Sequence, residues 1–321
     1  MLSYEKLSDV PGYGNYYVGF IDILGFKELV NRCFGGDDGR LHTTLCKVFE
    51  DLPHYFKGEP SSFYESYESG EPMPKTGTLW MSPYIDEIFD LSFFFSDSII
   101  LCTKKSNNID DDVKRLVTLC SIMSRYVKLL LLNPIDGRTF AVKLRGAIAS
   151  GPAVIFPATK TFYGKSINDA YELAESQNWV GAALHDSVEI NALGGEYLQS
   201  LVGFDKPLYR YSSIPIDKQR EKYDSRIRYA LNWVRYHPAG KDWFPHIAKN
   251  KPLGRDIGHH LTTMKWNELV EKKNNTIRFA MSVCDEYANA KEYQDPYSKG
   301  GSHYSEGSYD MSELFKIERS D

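Results

Sequence analysis

The chain is poor in the features that mark several large protein classes. No apolar run approaches the ~20 residues of a membrane-spanning helix. The polar, acidic stretch from Met1 to Val10 lacks the basic start and apolar segment of a secretory signal. The five cysteines, Cys33, Cys46, Cys102, Cys120 and Cys284, are odd in number and form no CxxC pair. Neither a disulfide framework nor a zinc knuckle is indicated, and a reduced, cytoplasmic protein is expected. Positive charge is not in surplus either: 38 Lys and Arg against 43 Asp and Glu leave a formal net charge of -5. That excludes a global basic field for holding DNA or RNA, so a polyphosphate ligand would need local cations. No internal repeat is present.

What is there suffices for a sizeable core. Hydrophobic residues make up 42% of 321 positions, which fits one large domain or a core with attached pieces. Tyr16 to Leu24 is β-branched and aromatic and reads as a buried strand ended by Gly25. Phe26 to Phe34 and Leu41 to Phe56 have helical spacing. Ser61 to Pro83 is rich in Ser, Gly, Pro and Tyr, and marks an inserted loop over about residues 57–85. Asp86 to Phe95 and Ser98 to Thr103 read as a hairpin with Asp97 at its tip. Apolar residues at helical spacing run from Ile109 to Leu132, and Asn133-Pro134 stops them.

Val142 to Ala149 and Ala153 to Phe156 read as a second hairpin around Gly151-Pro152. A loop, a helix over Ser166 to Gln177 and a strand-like run from Trp179 to His185 follow. The order β-α-β-β-α-β-β-α-β predicts an α+β fold with a ferredoxin-like core, a mixed or antiparallel sheet flanked by helices. Residues 1–190 form that core. Residues 191–321 are expected as a helical C-terminal extension packed on it, with a long helix over Asp256 to Glu292 and a mobile polar tail after about residue 294.

The sharpest feature is Asp22, between Ile21 and Ile23 in the middle of a buried strand. A carboxylate there is costly unless it is paired or bound to a cation. The plainer reading is a cap for the following helix, although Gly25 stands closer to the cap position. Asp97 ends the apolar run Leu91 to Ser96 and, taken alone, is an ordinary turn aspartate. In a ferredoxin-like core, however, the first strand lies beside the central hairpin. The two carboxylates then meet on one sheet edge and invite Mg²⁺ or Mn²⁺, ions that prefer oxygen ligands.

Other acidic or metal-like motifs carry less. Gly35-Gly36-Asp37-Asp38-Gly39 is flanked by helical sequence and reads as a solvated loop. It fails as an EF-hand because Val48 occupies the twelfth position. His259-His260 point apart on a helix. Asp110-Asp111-Asp112 suits the start of the helix that follows.

From Tyr16 to Val188 the chain resembles the class III nucleotidyl cyclases. Phe20-Ile21-Asp22-Ile23-Leu24-Gly25-Phe26 is similar to their first metal motif, and Asp97 to their second metal aspartate. Leu144-Arg145-Gly146 through Gly151-Pro152 resembles their arginine-to-Gly-Pro segment. Tyr163-Gly164-Lys165-Ser166-Ile167-Asn168-Asp169-Ala170 resembles their Trp-Gly-x-x-Val-Asn-x-Ala segment. The resemblance implies two divalent ions, Mg²⁺ or Mn²⁺, on Asp22, Asp97 and the Ile23 carbonyl. It implies that Asn168 positions the ribose and the transition state, and that two copies of the chain share composite sites in a homodimer.

The departures are specific. The lysine and aspartate that read purines are replaced by Phe93 and Thr161, and Glu172 stands where a catalytic arginine is usual. Arg145 and Lys165 are the two candidates for that missing charge. Phe26, Phe93, Thr161 and Tyr163 are the substrate-binding candidates. This pattern resembles the bacterial pyrimidine cyclases of the Pycsar antiphage systems, whose cyclic UMP or cyclic CMP activates a separate effector. The expected reaction is therefore UTP to cyclic UMP and pyrophosphate. The alternatives are CTP, a purine triphosphate, or a non-catalytic nucleotide-binding domain. Neither nucleic-acid nor membrane binding is expected.

Overall fold

A computed structural model of the chain describes residues 6–35, 91–132, 142–204, 206–217, 227–235, 261, 266 and 269–289. The expected loop over residues 57–85, the helix over Leu41 to Phe56 and the tail after residue 294 lie outside them. The first strand, β1 (Tyr13–Leu24), is buried along most of its length, as its β-branched and aromatic content requires. Gly25 ends it at φ +73°, a left-handed conformation that glycine adopts without a side-chain clash, and α1 (Phe26–Gly35) begins at once. The strands β2 (Leu91–Phe95) and β3 (Ser98–Lys104) form the expected hairpin. Next come α2 (Ile109–Leu132), β4 (Lys143–Phe156), β5 (Thr161–Gly164), α3 (Lys165–Ser176) and β6 (Gly181–Leu184).

The sheet order is β2-β3-β1-β4 and then β6. Pairs among the first four strands are antiparallel, and β4 with β6 is parallel. Read from β4, the order 4-1-3-2 over β-α-β-β-α-β is the ferredoxin-like arrangement, so the α+β expectation holds. Two helices sandwich this sheet. Alternate residues of β1 point to opposite faces. Gly19 faces α2, where a Cβ would meet Met123 and Leu119, while Phe20 meets Tyr171 of α3 edge-on at 5.3 Å. The start of α2 is capped by Asn108, whose Oδ1 accepts from the Asp110 amide at 2.8 Å. Of the three aspartates assigned to that end, Asp112 turns back to accept from the Ser106 amide.

Two expectations are corrected. Gly151-Pro152 is no hairpin turn: β4 is one strand of 14 residues, paired with β1 from Leu24↔Lys143 to Tyr13↔Val154. On its other side β6 covers Arg145 to Ile148 and β5 covers Ala153 to Phe156. Pro152 sits in the gap, where no strand needs its missing N–H. The C-terminal part is also not purely helical. It contributes α4 (Gly195–Leu201), and β7 (Leu208–Arg210) and β8 (Tyr229–Leu231) extend the sheet beyond β6.

The last described helix, α5 (Val270–Asn289), does not run unbroken from Asp256 as expected, since Trp266 and Leu269 are not helical, and it is seated by aromatic packing. Phe279 lies edge-on to Trp179 at 4.8 Å and to Tyr211 at 5.2 Å. Among the described residues, Cys102, Cys120 and Cys284 are buried and in no disulfide, and no helix is long and apolar enough to cross a membrane.

Candidate active site

The register of the sheet assembles the acidic site. Asp22 stands opposite Ser98 on β3 and Arg145 on β4, so Asp22 and Arg145 leave the same face. That face is the one covered by α3. Arg145 Nε donates to Asp22 Oδ2 at 2.7 Å, and its Nη2 donates to Glu175 Oε1 of α3 at 2.5 Å. Its Nη1 donates to the Glu175 carbonyl at 3.0 Å. The guanidinium is thus held between two carboxylates with little exposure of its own.

Asp97 reaches this site through the backbone. Ser96 takes φ +54° in the turn, and the Asp97 carbonyl accepts from the Ile23 amide at 2.8 Å. The hairpin tip is thereby docked on β1 one residue past Asp22. Burial raises the Asp22 carboxyl above the ordinary aspartate range; Arg145 opposes this, and the Asp97 and Glu175 charges add to it. Asp22 and Asp97 are therefore brought together, as the hairpin topology predicts.

The donor set fits a hard divalent cation. Two carboxylates and main-chain oxygen at a strand end are the ligands Mg²⁺ and Mn²⁺ accept. A dication would also offset the burial, and the smaller repulsion from Asp97 and Glu175, that raise Asp22. Among the described residues no group of three or more His, Cys, Asp or Glu side chains is clustered for a metal. The set is limited to the two aspartates with the Ile23 main chain.

The second group of candidates lies elsewhere. Lys165 opens α3 and pairs with Asp169 at 2.5 Å on an exposed face. It is ten residues from Glu175, or ~15 Å along the helix. Of the two candidates for the missing arginine, only Arg145 is brought to Asp22 within one chain. Asn168 is exposed on the same helix. At seven residues it shares a stripe with Glu175 but lies ~10 Å from it along the axis. Glu172, at the arginine position, is half-buried between them.

Phe93 and Thr161 fall into a third cluster. The Phe93 ring meets Phe162 at 5.5 Å, and Lys160 Nζ stands 5.8 Å from the Phe93 centroid. Thr161 lies between Phe162 and Lys160 in sequence, and its hydroxyl is 3.1 Å from that of Thr159. Tyr163 is 53% exposed, so its ring is open to a ligand or a partner. Phe26 is instead half-buried against the core.

Sequence reasoning missed Glu175, Lys160 and Phe162. No local signal marks Glu175, which matters only through Arg145. The sequence of β5 reads as a loop, and its placement over Phe93 is tertiary.

No protein-family model matches the chain, and no curated protein matches it. Solved structures similar to it include the guanylyl cyclase domain of the RhoGC fusion protein from the aquatic fungus Blastocladiella emersonii. That match has 14% identity over 59% of this chain and 87% of that one, at a TM-score of 0.37. The adenylyl cyclase CyaB from P. aeruginosa matches at 13% identity over 68% of this chain and 94% of that one, TM-score 0.40. The guanylyl cyclase Cya2 matches at 12% identity over 58% and 82%, TM-score 0.35. At this distance the chemistry of the site has to be read from its own residues.

Proposed function

We propose that the chain is a nucleotidyl cyclase that closes a nucleoside triphosphate into its 3′,5′-cyclic monophosphate. The observation that carries the reading is the meeting of Asp22 and Asp97, where the hairpin tip docks beside the end of β1. The ribose 3′-hydroxyl gives up its proton to solvent and its oxygen bonds to the α-phosphorus, while the bond from that phosphorus to the bridging oxygen breaks and pyrophosphate leaves with the electron pair. Asp22, Asp97 and the Ile23 carbonyl would hold two Mg²⁺ or Mn²⁺ ions, which when bound supply acidification of a hydroxyl and neutralisation of phosphate charge.

The chain's own residues do the rest. Arg145 is fixed by Asp22 and Glu175 and presents its charge beside the phosphates. Asn168 lies two helical turns from Glu175 on an exposed part of α3, and the resemblance to class III cyclases implies that it serves the site of another copy. Asn168, with Lys165 and its neighbours, would then complete the site of a second copy in a homodimer with composite sites.

The base is proposed to be a pyrimidine, with UTP ahead of CTP. Phe93 and Phe162 offer aromatic faces where a charged reader would stand, and they fill space that a two-ring base needs. The Thr161 hydroxyl can donate to uracil O4 or accept from the cytosine amino group. The cyclic product would act on a separate effector in antiphage defence.

The test is each of ATP, GTP, CTP and UTP with Mn²⁺, reading cyclic product by mass and pyrophosphate by a coupled assay. Cyclic UMP is expected. Cyclic CMP overturns the choice between pyrimidines, and cyclic AMP or cyclic GMP overturns the reading of Phe93. Nucleotide binding without any cyclic product overturns the enzyme reading.

A further inference from the structure

The turn before β5 carries a cation to the aromatic pair. Pro157 to Thr159 form a single 3₁₀ turn, closed by the Lys160 amide donating to the Pro157 carbonyl at 3.2 Å. Lys160 ends that turn at φ +52° and ψ +34°, the left-handed conformation in which glycine is the usual residue. From there its side chain reaches β2, where Nζ lies 5.8 Å from the Phe93 centroid. Phe93 and Phe162 are half-buried and packed on the core, while Lys160 is exposed. The pair is a fixed apolar surface with a long-stemmed ammonium on its open side.

The polar groups around the pair differ in their commitments. The Thr161 hydroxyl lies 3.1 Å from that of Thr159 and donates to the Thr159 carbonyl at 3.4 Å, so it is tied to its own turn. Among the described residues, Lys160 Nζ has no ion pair and no hydrogen bond, and its contact is the Phe93 ring. A separation of 5.8 Å is near the outer limit of a cation–π contact. A base stacked on that face would move the ammonium to the base's rim, which the four-carbon stem allows.

An ammonium has donors and no acceptor. Uracil presents carbonyl oxygens on both sides of N3, whereas cytosine carries an amino donor on one of them. A donor-only group at that position gains a charge-assisted hydrogen bond from uracil and meets a second donor in cytosine.

We propose that Lys160 is a specificity-determining residue, whose ammonium donates to O4 of a uracil stacked on Phe93 and so separates UTP from CTP. This deepens the pyrimidine cyclase reading and rests on it. It supplies the choice that the Thr161 hydroxyl leaves open.

The test uses the full chain and two variants. Lys160→Gly removes the cation and suits the left-handed backbone; Lys160→Arg keeps a charged donor. Cyclisation of UTP and of CTP is measured as kcat and KM with Mn²⁺. Binding of 3′-deoxy-UTP and 3′-deoxy-CTP, which lack the attacking hydroxyl, is measured by calorimetry, with melting curves for all three proteins. Lys160→Gly is expected to lower the preference for UTP over CTP about ten- to a hundredfold, the range of one charge-assisted hydrogen bond. The change should lie mainly in KM for UTP, with an unlowered melting point, and Lys160→Arg should retain most of the preference.

An unchanged ratio in Lys160→Gly overturns the assignment. So does an equal loss for both nucleotides, which would place the cation on the shared phosphates, and so does a wild type that prefers CTP or a purine. Absence of binding to either deoxynucleotide by the wild type overturns it as well. Tighter binding of 3′-deoxy-UTP that depends on Lys160, in a protein that makes no cyclic product, would sink the cyclase reading and leave the uracil site standing.

Discussion

Asp22→Asn separates charge from shape at the centre of the site. The amide is nearly isosteric with the carboxylate and retains an oxygen to accept from Arg145 Nε, now 2.7 Å away. What is lost is one negative charge in a half-buried cluster that also contains Asp97 and Glu175. Burial raises the Asp22 carboxyl in the folded chain, so the unfolded chain holds this group's charge more readily than the folded one. Its contribution to stability is complete below the unfolded value of 3.8 and is lost as pH rises through the folded value. At neutral pH the apo protein therefore carries a cost that the asparagine variant does not. The variant should melt at the same temperature as wild type in EDTA, or slightly above it.

A divalent ion reverses that order. An ion at 100 times its dissociation constant stabilises the folded state by about 2.7 kcal/mol. For a chain of this size that is a rise of about 4 °C in Tm. Wild type should show such a rise with millimolar Mn²⁺ and Asp22→Asn should not. Pyrophosphate release should fall at least about a thousandfold, the effect of about 4 kcal/mol on a transition state. Differential scanning fluorimetry with and without EDTA, together with the coupled assay, reads both. Equal stabilisation of the two proteins by Mn²⁺, or turnover of the variant within tenfold of wild type, would refute the two-carboxylate metal site.

Three further outcomes follow from the same geometry. Arg145→Ala leaves Asp22 and Glu175 facing each other without their shared cation; it should cost about 3 kcal/mol in urea unfolding, and that cost should shrink as pH is lowered into the carboxylate range. A mixture of Asp22→Ala and Asn168→Ala proteins should regain cyclisation that neither has alone; continued inactivity after demonstrated subunit exchange would defeat the shared-site model. Phe93→Ala should raise KM for the preferred nucleotide about tenfold through lost stacking, with kcat little changed, and an unchanged KM would remove Phe93 from the base pocket.

Much of the core was legible because it rests on local periodicity. The apolar run around Asp22 reads as β1, the stripe from Val113 to Leu130 as α2, and Asp97 as a hairpin tip, and the structure has each of them. From those elements the ferredoxin-like order follows, and the order alone puts the first strand next to the hairpin. The misreadings came where local chemistry and tertiary context disagree. Gly-Pro is a strong turn signal. Yet β4 runs straight through Gly151-Pro152, because twelve residues of β1 pair along it and no strand pairs with its other edge there.

The site was legible only as far as its charges stand on those elements. Asp22 and Arg145 are 123 residues apart, and nothing in either segment says that one accepts from the other. The pairing depends on the β1–β4 register, since a shift by one residue would send Arg145 to the opposite face, toward α2. Glu175 enters only because α3 crosses that face with its last turn over Arg145. The seat of α5 is one step further removed: the helix docks through Asn275 and Thr276 against the α3–β6 connection, and Phe279 fills the space among Trp179, Tyr209, Tyr211 and Trp233. Each step is a packing decision between segments distant in the chain. A carboxylate in an apolar strand can therefore be recognised from sequence, while the cations that answer it have to be found in the fold.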